Sequence, residues 1–230
     1  MSLFLASGGT IGGWALTGKL AGEEAALSFL QVGVVAVLTI SIAQFLFFSL
    51  GKKRLIYCVL FNITFGFGIV WFLMCLLLPV FWVQTIGTTE KSILALFLVM
   101  LCSANACKAS TQFKSKWREV AEGALARHYN VKDNSMDWPK VLAPMRLTPA
   151  LYIPGVPERM NPVISIAIIV SMVTGLSLRN SFPIFSLYAW GIPSCLAISL
   201  FIQASGLGVA QIITLAELEK KYGKPIRPKM

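Results

Sequence analysis

The sequence predicts an all-α fold: a polytopic transmembrane helical bundle of about five spans, with a cytoplasmic helical extension and a proline-rich extended strap. Three observations predict it. The chain of 230 residues is 56% hydrophobic and only 13% charged, against about 45–50% and about 25% in soluble globular chains. The apolar residues come in several runs of about 18 or more, each long enough to cross the hydrocarbon core as a helix. Six of the eleven prolines crowd into one stretch, at Pro139, Pro144, Pro149, Pro154, Pro157 and Pro162, while the rest of the chain is almost free of helix breakers.

Residues 1–26 form the first unit. "MSLFLASGGTIGGWALTGKL" has no positive region ahead of its apolar part, so no cleavable signal peptide is expected. Its glycines, Gly8, Gly9, Gly12 and Gly13, do not have nucleotide-loop spacing, and no strand precedes them. The segment reads as interfacial or re-entrant; helix packing through small residues is the other use of those glycines.

Residues 27–108 hold three spans. The first runs from about Leu27 to Leu50 and stops at Gly51–Arg54. The second runs from about Leu55 to Val83, with Pro79 and Trp82 near its far end, where an interfacial aromatic belongs. The third starts near Ser92 and stays apolar to about Ala106. No proline occurs between Pro79 and Pro139, so this span is expected to continue as a helix to about Tyr129. At 1.5 Å per residue that helix is about 55 Å long, and about 30 Å of it crosses the hydrocarbon. Its remainder projects as an arm, amphipathic through Phe113, Trp117, Val120, Ala121, Ala124 and Leu125.

Residues 109–160 comprise this arm and the proline-spaced strap. Proline removes a donor and disfavours helix in the residue before it. Spacing near five therefore leaves no room for a helix of any length, and an extended path or a chain of turns is expected. Between the prolines lie Trp138, Val141, Leu142, Met145, Leu147, Leu151, Tyr152, Ile153 and Val156. A flexible linker is poor in such residues, so the strap should pack against the arm, the membrane surface or a partner. Phe113, Trp117, Leu125, Trp138, Leu147 and Tyr152 are the candidate cytoplasmic docking residues.

Residues 161–215 carry the last two spans: Asn161 to about Leu178, then about Pro183 to Leu215, with Trp190–Ser194 offering a kink at Pro193. Residues 216–230 form a basic tail. Seventeen of the twenty Lys and Arg fall at Gly51–Arg54, on the arm and strap, and on this tail; Lys19, Lys91 and Arg179 on the other side are balanced by Glu23, Glu24 and Glu90. The net charge of +10 thus lies wholly on one side. The positive-inside rule makes that side cytoplasmic, with Lys52, Lys53 and Arg54 among the topology-setting residues. The expected topology is N-terminus out and C-terminus in, in a cell (inner) membrane. Insertion and anionic inner-leaflet lipid account for the charge, and no nucleic-acid partner is expected.

The spans have essentially no Asp, Glu, Lys, Arg or His in their interiors. Intramembrane ionisable groups mark proton relays and ion pathways; their absence argues against a pump, a proton-coupled transporter or an acid–base enzyme. The five cysteines lack CxxC spacing, and the single histidine, His128, has no ligand cluster at useful spacing. Neither metal nor cofactor is expected, and the chain reads as no enzyme. Polar residues remain at Gln31, Thr39, Ser41, Gln44, Asn62, Thr64, Ser103 and Asn105. In the fifth span Cys195, Ser199, Gln203, Gly206, Ala210 and Thr214 step by three or four and share one helix face, a packing seam or a pore lining. Gln203 should face a partner helix or water, because an unpaired amide in hydrocarbon costs several kcal/mol. The expected role is a non-enzymatic subunit that assembles or anchors a membrane complex of the secretion, conjugation or defence type, through other subunits or self-association. The alternative is a small homo-oligomeric channel or membrane-permeabilising effector.

Overall fold

A computed structural model describes residues 1–147 and 150–229. Its helices are α1 (Ser2–Ala21), α2 (Glu23–Gly51), α3 (Leu55–Leu77), α4 (Pro79–Trp82), α5 (Thr88–His128), α6 (Trp138–Leu142), α7 (Asn161–Leu178) and α8 (Pro183–Tyr222). Five segments are long and apolar enough to cross a membrane: α2, α3 with α4, α5, α7 and α8. The chain is an all-α membrane protein. α3 gives way to α4 at Leu78, which keeps helical dihedrals, and Pro79 opens α4 without needing a donor. α8 continues as one 40-residue helix through Pro193.

α1 is a single continuous helix packed on the bundle, the use of its glycines that the sequence offered beside the interfacial or re-entrant one. It runs antiparallel to α2 and parallel to α3. Ser2 lies beside Gln44 and Gly68, Thr10 beside Gly33 and Trp71, and Gly13 beside Phe29 and Cys75. The four glycines divide between two faces. Gly9 and Gly13 point inward, where a Cβ on Gly13 would meet Phe29 Cζ at 2.4 Å; around Gly8 and Gly12 there is open space. Thr10 and Thr17 donate to the carbonyls of Ala6 and Gly13 one turn back, so their hydroxyls need no outside partner. Ser2 therefore points toward the end of the bundle that carries Gly51–Arg54 and the C-terminal tail. The sequence reading set the two termini on opposite sides of a membrane; this packing favours the same side. Glycine-rich α1 is less apolar than its neighbours, and its role as a packed helix is not visible in hydropathy.

Two apolar cores are stacked along the bundle. One joins α3, α4, α5 and α8 through Val70, Leu77, Leu101, Cys195 and Ile198. The other lies toward the basic end and joins Leu55, Val59, Phe113, Met136, Trp138, Val141, Leu215 and Ile226. α5 and α8 run parallel, with Glu90 beside Tyr188 and Ala106 beside Gly206. α7 leans chiefly on α8, with Gly175 closed on the Cβ of Ala189.

The basic end is tied by contacts the sequence did not suggest. β1 (Tyr129–Asn130) pairs antiparallel with β2 (Ser135–Met136), and β3 (Arg227–Pro228) from the tail pairs parallel with β2. Arg54 donates to both carboxylate oxygens of Glu219, at 3.0 and 2.9 Å from Nε. That fork raises the guanidinium pKa further above its already high value, chiefly through the Glu219 hydrogen bond. Glu219 also accepts from the Ile226 N–H at 2.9 Å, and Ile226 accepts from the Leu55 N–H at 2.8 Å. One buried carboxylate thus joins the α2–α3 hairpin, the end of α8 and the tail.

Candidate functional site: a polar layer that holds the strap

The proline stretch begins with a helix after all. α6 spans five residues because Asp137 caps it: the carboxylate accepts from the Lys140 N–H, and Pro139 sits in the first turn, where its missing donor is no loss. The Asp137 carboxyl is held below its usual range, mainly by the hydrogen bond from Lys140. Short 3₁₀ turns follow at Ala143–Met145 and Glu158–Met160. Arg146 then takes a left-handed conformation, φ 46° and ψ 44°, which turns the chain back toward the bundle. Of this stretch, Thr148 and Pro149 lie outside the described residues.

From Ala150 to Ile153 the strap enters the bundle. Asn105 Nδ2 donates to the Tyr152 carbonyl at 2.7 Å, and the Tyr152 N–H donates to Asn105 Oδ1 at 3.1 Å. A carboxamide offers the same donor and acceptor as a peptide, so Asn105 pairs with the strap as a strand neighbour would. Gln203 Nε2 donates to the Ala150 carbonyl at 3.1 Å. Its Oε1 is buried without a partner among the described residues. Lys108 Nζ lies 4.5 Å from the centre of the Tyr152 ring. Leu151 and Ile153 pack into the core toward the far end of the bundle.

These amides share a depth with a second polar cluster. Gln44 Nε2 donates to Ser2 Oγ at 2.8 Å and to the Thr64 carbonyl at 3.1 Å. Ser205, two residues from Gln203, faces Gly66 of α3. Twenty residues separate Pro183 from Gln203 on α8, a rise of about 30 Å, which equals the hydrocarbon thickness. The layer therefore sits about one hydrocarbon thickness along α8 from the opposite end of the bundle, on the side of the basic residues. Polar backbone is tolerated there because protein donors and acceptors pair it.

No known protein family, curated protein or solved structure matches this chain. Its function must be argued from these residues.

The stripe on α8 is turned inward. Cys195, Ser199, Gln203, Ala210 and Thr214 are buried, and Gly206 lies against the backbone of Ala106, where an added Cβ would meet Cα and O at 3.0 Å. Ser199 donates to the Leu196 carbonyl of its own helix. Gln203 Nε2 meets the strap, at the Ala150 carbonyl. Other span polars bond locally, Thr39 to Val35 and Ser41 to Val37, while Gln31 and Asn62 are exposed.

The candidate docking residues make contacts within the chain, one of the three settings expected for the strap. Phe113 and Trp138 are buried, Leu125, Leu147 and Tyr152 half-buried. Phe113 stacks on Trp117 at 6.0 Å, and Trp117 meets Trp138 at 5.7 Å. Trp138 Nε1 donates to Gln211 Oε1 at 2.9 Å. They bind strap to arm. Lys52 and Lys53 are exposed, whereas Arg54 is engaged with Glu219. The sequence signalled Gln44, Asn105 and Gln203 only as amides in hydrocarbon; partners 20 to 53 positions away were beyond pattern reading. Among the described residues no group of three His, Cys, Asp or Glu converges.

Proposed function

We propose that this protein is a non-enzymatic subunit that assembles or anchors a multi-protein membrane complex. The reading further places it in a cell (inner) membrane with its basic end in the cytoplasm, where Ser2 also lies. The observation that carries the proposal is α7. It rests chiefly on α8, only 6% of its apolar window is buried, and Val163, Ile166, Val170 and Val173 all face outward. A helix so bare in the single chain offers a full face to another membrane helix. Meanwhile the polar side chains of the layer are occupied by the chain's own strap and α1, an arrangement that builds structure rather than chemistry.

Native mass spectrometry of gently solubilised protein tests this. Stoichiometric foreign subunits, lost on Val170→Trp, are expected. A monomer or a purely homomeric ring would overturn it. One observation favours the second reading, a small homo-oligomeric channel: the orphaned Gln203 Oε1 is a place for water. That reading requires the purified protein to conduct in planar bilayers with a conductance altered by Gln203→Leu. Silent bilayers rule it out.

A further inference from the structure

On the outer side of α5 the strap leaves a groove of about 930 Å³. We propose that this groove binds the headgroup of an anionic phospholipid from the adjoining leaflet. Its rim carries Lys108, Lys116 and Arg146, with Thr111, Gln112 and Ser115 as hydrogen-bonding groups between them. None of its described lining residues is acidic. Leu147, Tyr152 and Pro154 supply an apolar wall on the strap side. Lys116 and Arg146 around hydroxyl and amide groups complement a phosphodiester, and an apolar wall beside them suits the glycerol and first methylenes rather than a free ion.

Position identifies the occupant as lipid. Ile93, Leu96, Met100, Ser103, Cys107 and Thr111 form one exposed stripe along α5, stepping by three or four. The stripe is apolar through Met100 and passes at Cys107 and Thr111 into the groove. Acyl chains lying along Leu96 and Met100 would deliver their headgroup to Arg146, near the depth of the polar layer. Arg146 is placed there by its left-handed backbone, and its guanidinium has no partner among the described residues. Lys116 pairs with Glu119 at 3.1 Å, but both are exposed, and such a pair yields readily to a phosphate.

The proposal rests on the basic end facing a leaflet that contains anionic lipid. Its test does not, because both leaflets of a nanodisc carry the same lipids. Full-length protein is reconstituted in phosphatidylcholine nanodiscs doped with phosphatidylglycerol, released gently and weighed by native mass spectrometry. Wild type should retain phosphatidylglycerol in preference to phosphatidylcholine. Lys116→Ala and Arg146→Gly should each weaken retention about fivefold, the effect of one basic residue at a membrane surface; glycine accepts the left-handed backbone, so the strap path is kept. Lys114→Ala and Arg118→Ala, which remove exposed cations of α5 outside the groove, should change nothing. Equal loss in all four variants would mean diffuse attraction and overturn the site. Retention unchanged in the Lys116→Ala/Arg146→Gly double variant would overturn it too. Displacement of the lipid by an equal concentration of glycerol phosphate would show a free-phosphate site and end the lipid reading.

Discussion

At Asn105 the carboxamide pairs with both the N–H and the C=O of Tyr152. Replacing it with Leu strands two peptide groups away from water, each costing about 1–3 kcal/mol. Asn105→Leu should therefore lower unfolding free energy in detergent by about 2–4 kcal/mol and speed proteolysis of the strap near Tyr152. Gln203 differs, although it lies at the same depth. It makes one bond to Ala150 and leaves Oε1 without a partner. Gln203→Met removes a bond worth about 1 kcal/mol together with a desolvated acceptor of similar cost, so its net effect should be near zero or slightly stabilising. Equal losses from the two substitutions would contradict the pairing. Arg146 offers a third case, because its left-handed backbone costs a non-glycine residue about 1 kcal/mol. Arg146→Gly should raise thermal stability by about that amount, even while lipid retention falls. A destabilised Arg146→Gly protein would mean that the guanidinium holds the turn.

Helix α1 turns glycine position into opposite outcomes. At Gly33, facing Thr10, an added Cβ would lie 2.3 Å from Cγ2; at Gly13 it would lie 2.4 Å from Phe29. Gly33→Ala and Gly13→Ala should each cost about 1–3 kcal/mol by overpacking. Gly8→Ala and Gly12→Ala meet open space and should stabilise by up to about 1 kcal/mol through helix propensity. Unfolding curves of the four variants would decide it, and a uniform response would mean α1 does not pack in this register. Helix α6 is set by its cap. Hydrogen bonding from Lys140 lowers the Asp137 pKa, so its stabilisation is present above the unfolded carboxyl value of about 3.9 and lost as pH falls through the lower folded value. Trp138 emission should therefore shift only in acid, and Asp137→Asn, which keeps an acceptor, should flatten that shift. The long spans were legible in the sequence because hydropathy and proline punctuation are local. The role of α1 was not: "GGTIGG" looks weak until Phe29, Gly33 and Phe72 are placed around it. The proline spacing and the apolar Leu151, Tyr152 and Ile153 were legible, but the partners of Ala150 and Tyr152 were not. Those partners, Asn105 and Gln203, lie about fifty residues away in sequence, and such pairing carries no periodic signal.

For the whole molecule, charge at the basic end has two separable roles. The side chains of Lys52 and Lys53 are exposed and make no ion pair among the described residues, so on the proposed orientation their role is insertion through the positive-inside rule. Arg54 carries the same charge but grips Glu219, whose side chain is only 7% exposed and also accepts from Ile226. Through that carboxylate the α2–α3 hairpin, α8 and the tail strand β3 form one unit. Removing Arg54 leaves a buried carboxylate uncompensated, a loss that reaches 3–5 kcal/mol for a fully buried pair. The guanidinium is 39% exposed, and solvent screening reduces the expected cost to about 1–2 kcal/mol. Arg54→Gln should therefore destabilise the protein and loosen the tail, read as faster hydrogen exchange at Ile226 and Arg227, while orientation stays unchanged because fifteen or more other cations remain on that side. Lys52→Gln/Lys53→Gln should do the reverse, leaving thermal stability alone and weakening the topology signal. Orientation can be read from a cysteine at Lys114, which an impermeant reagent should not reach from outside intact cells, and from a fluorescent protein placed ahead of Ser2, which should fluoresce in the cytoplasm. If Arg54→Gln and the double lysine variant behaved alike in both assays, charge at this hairpin would have one role, and the joint between α3, α8 and the tail would not hold the basic end together.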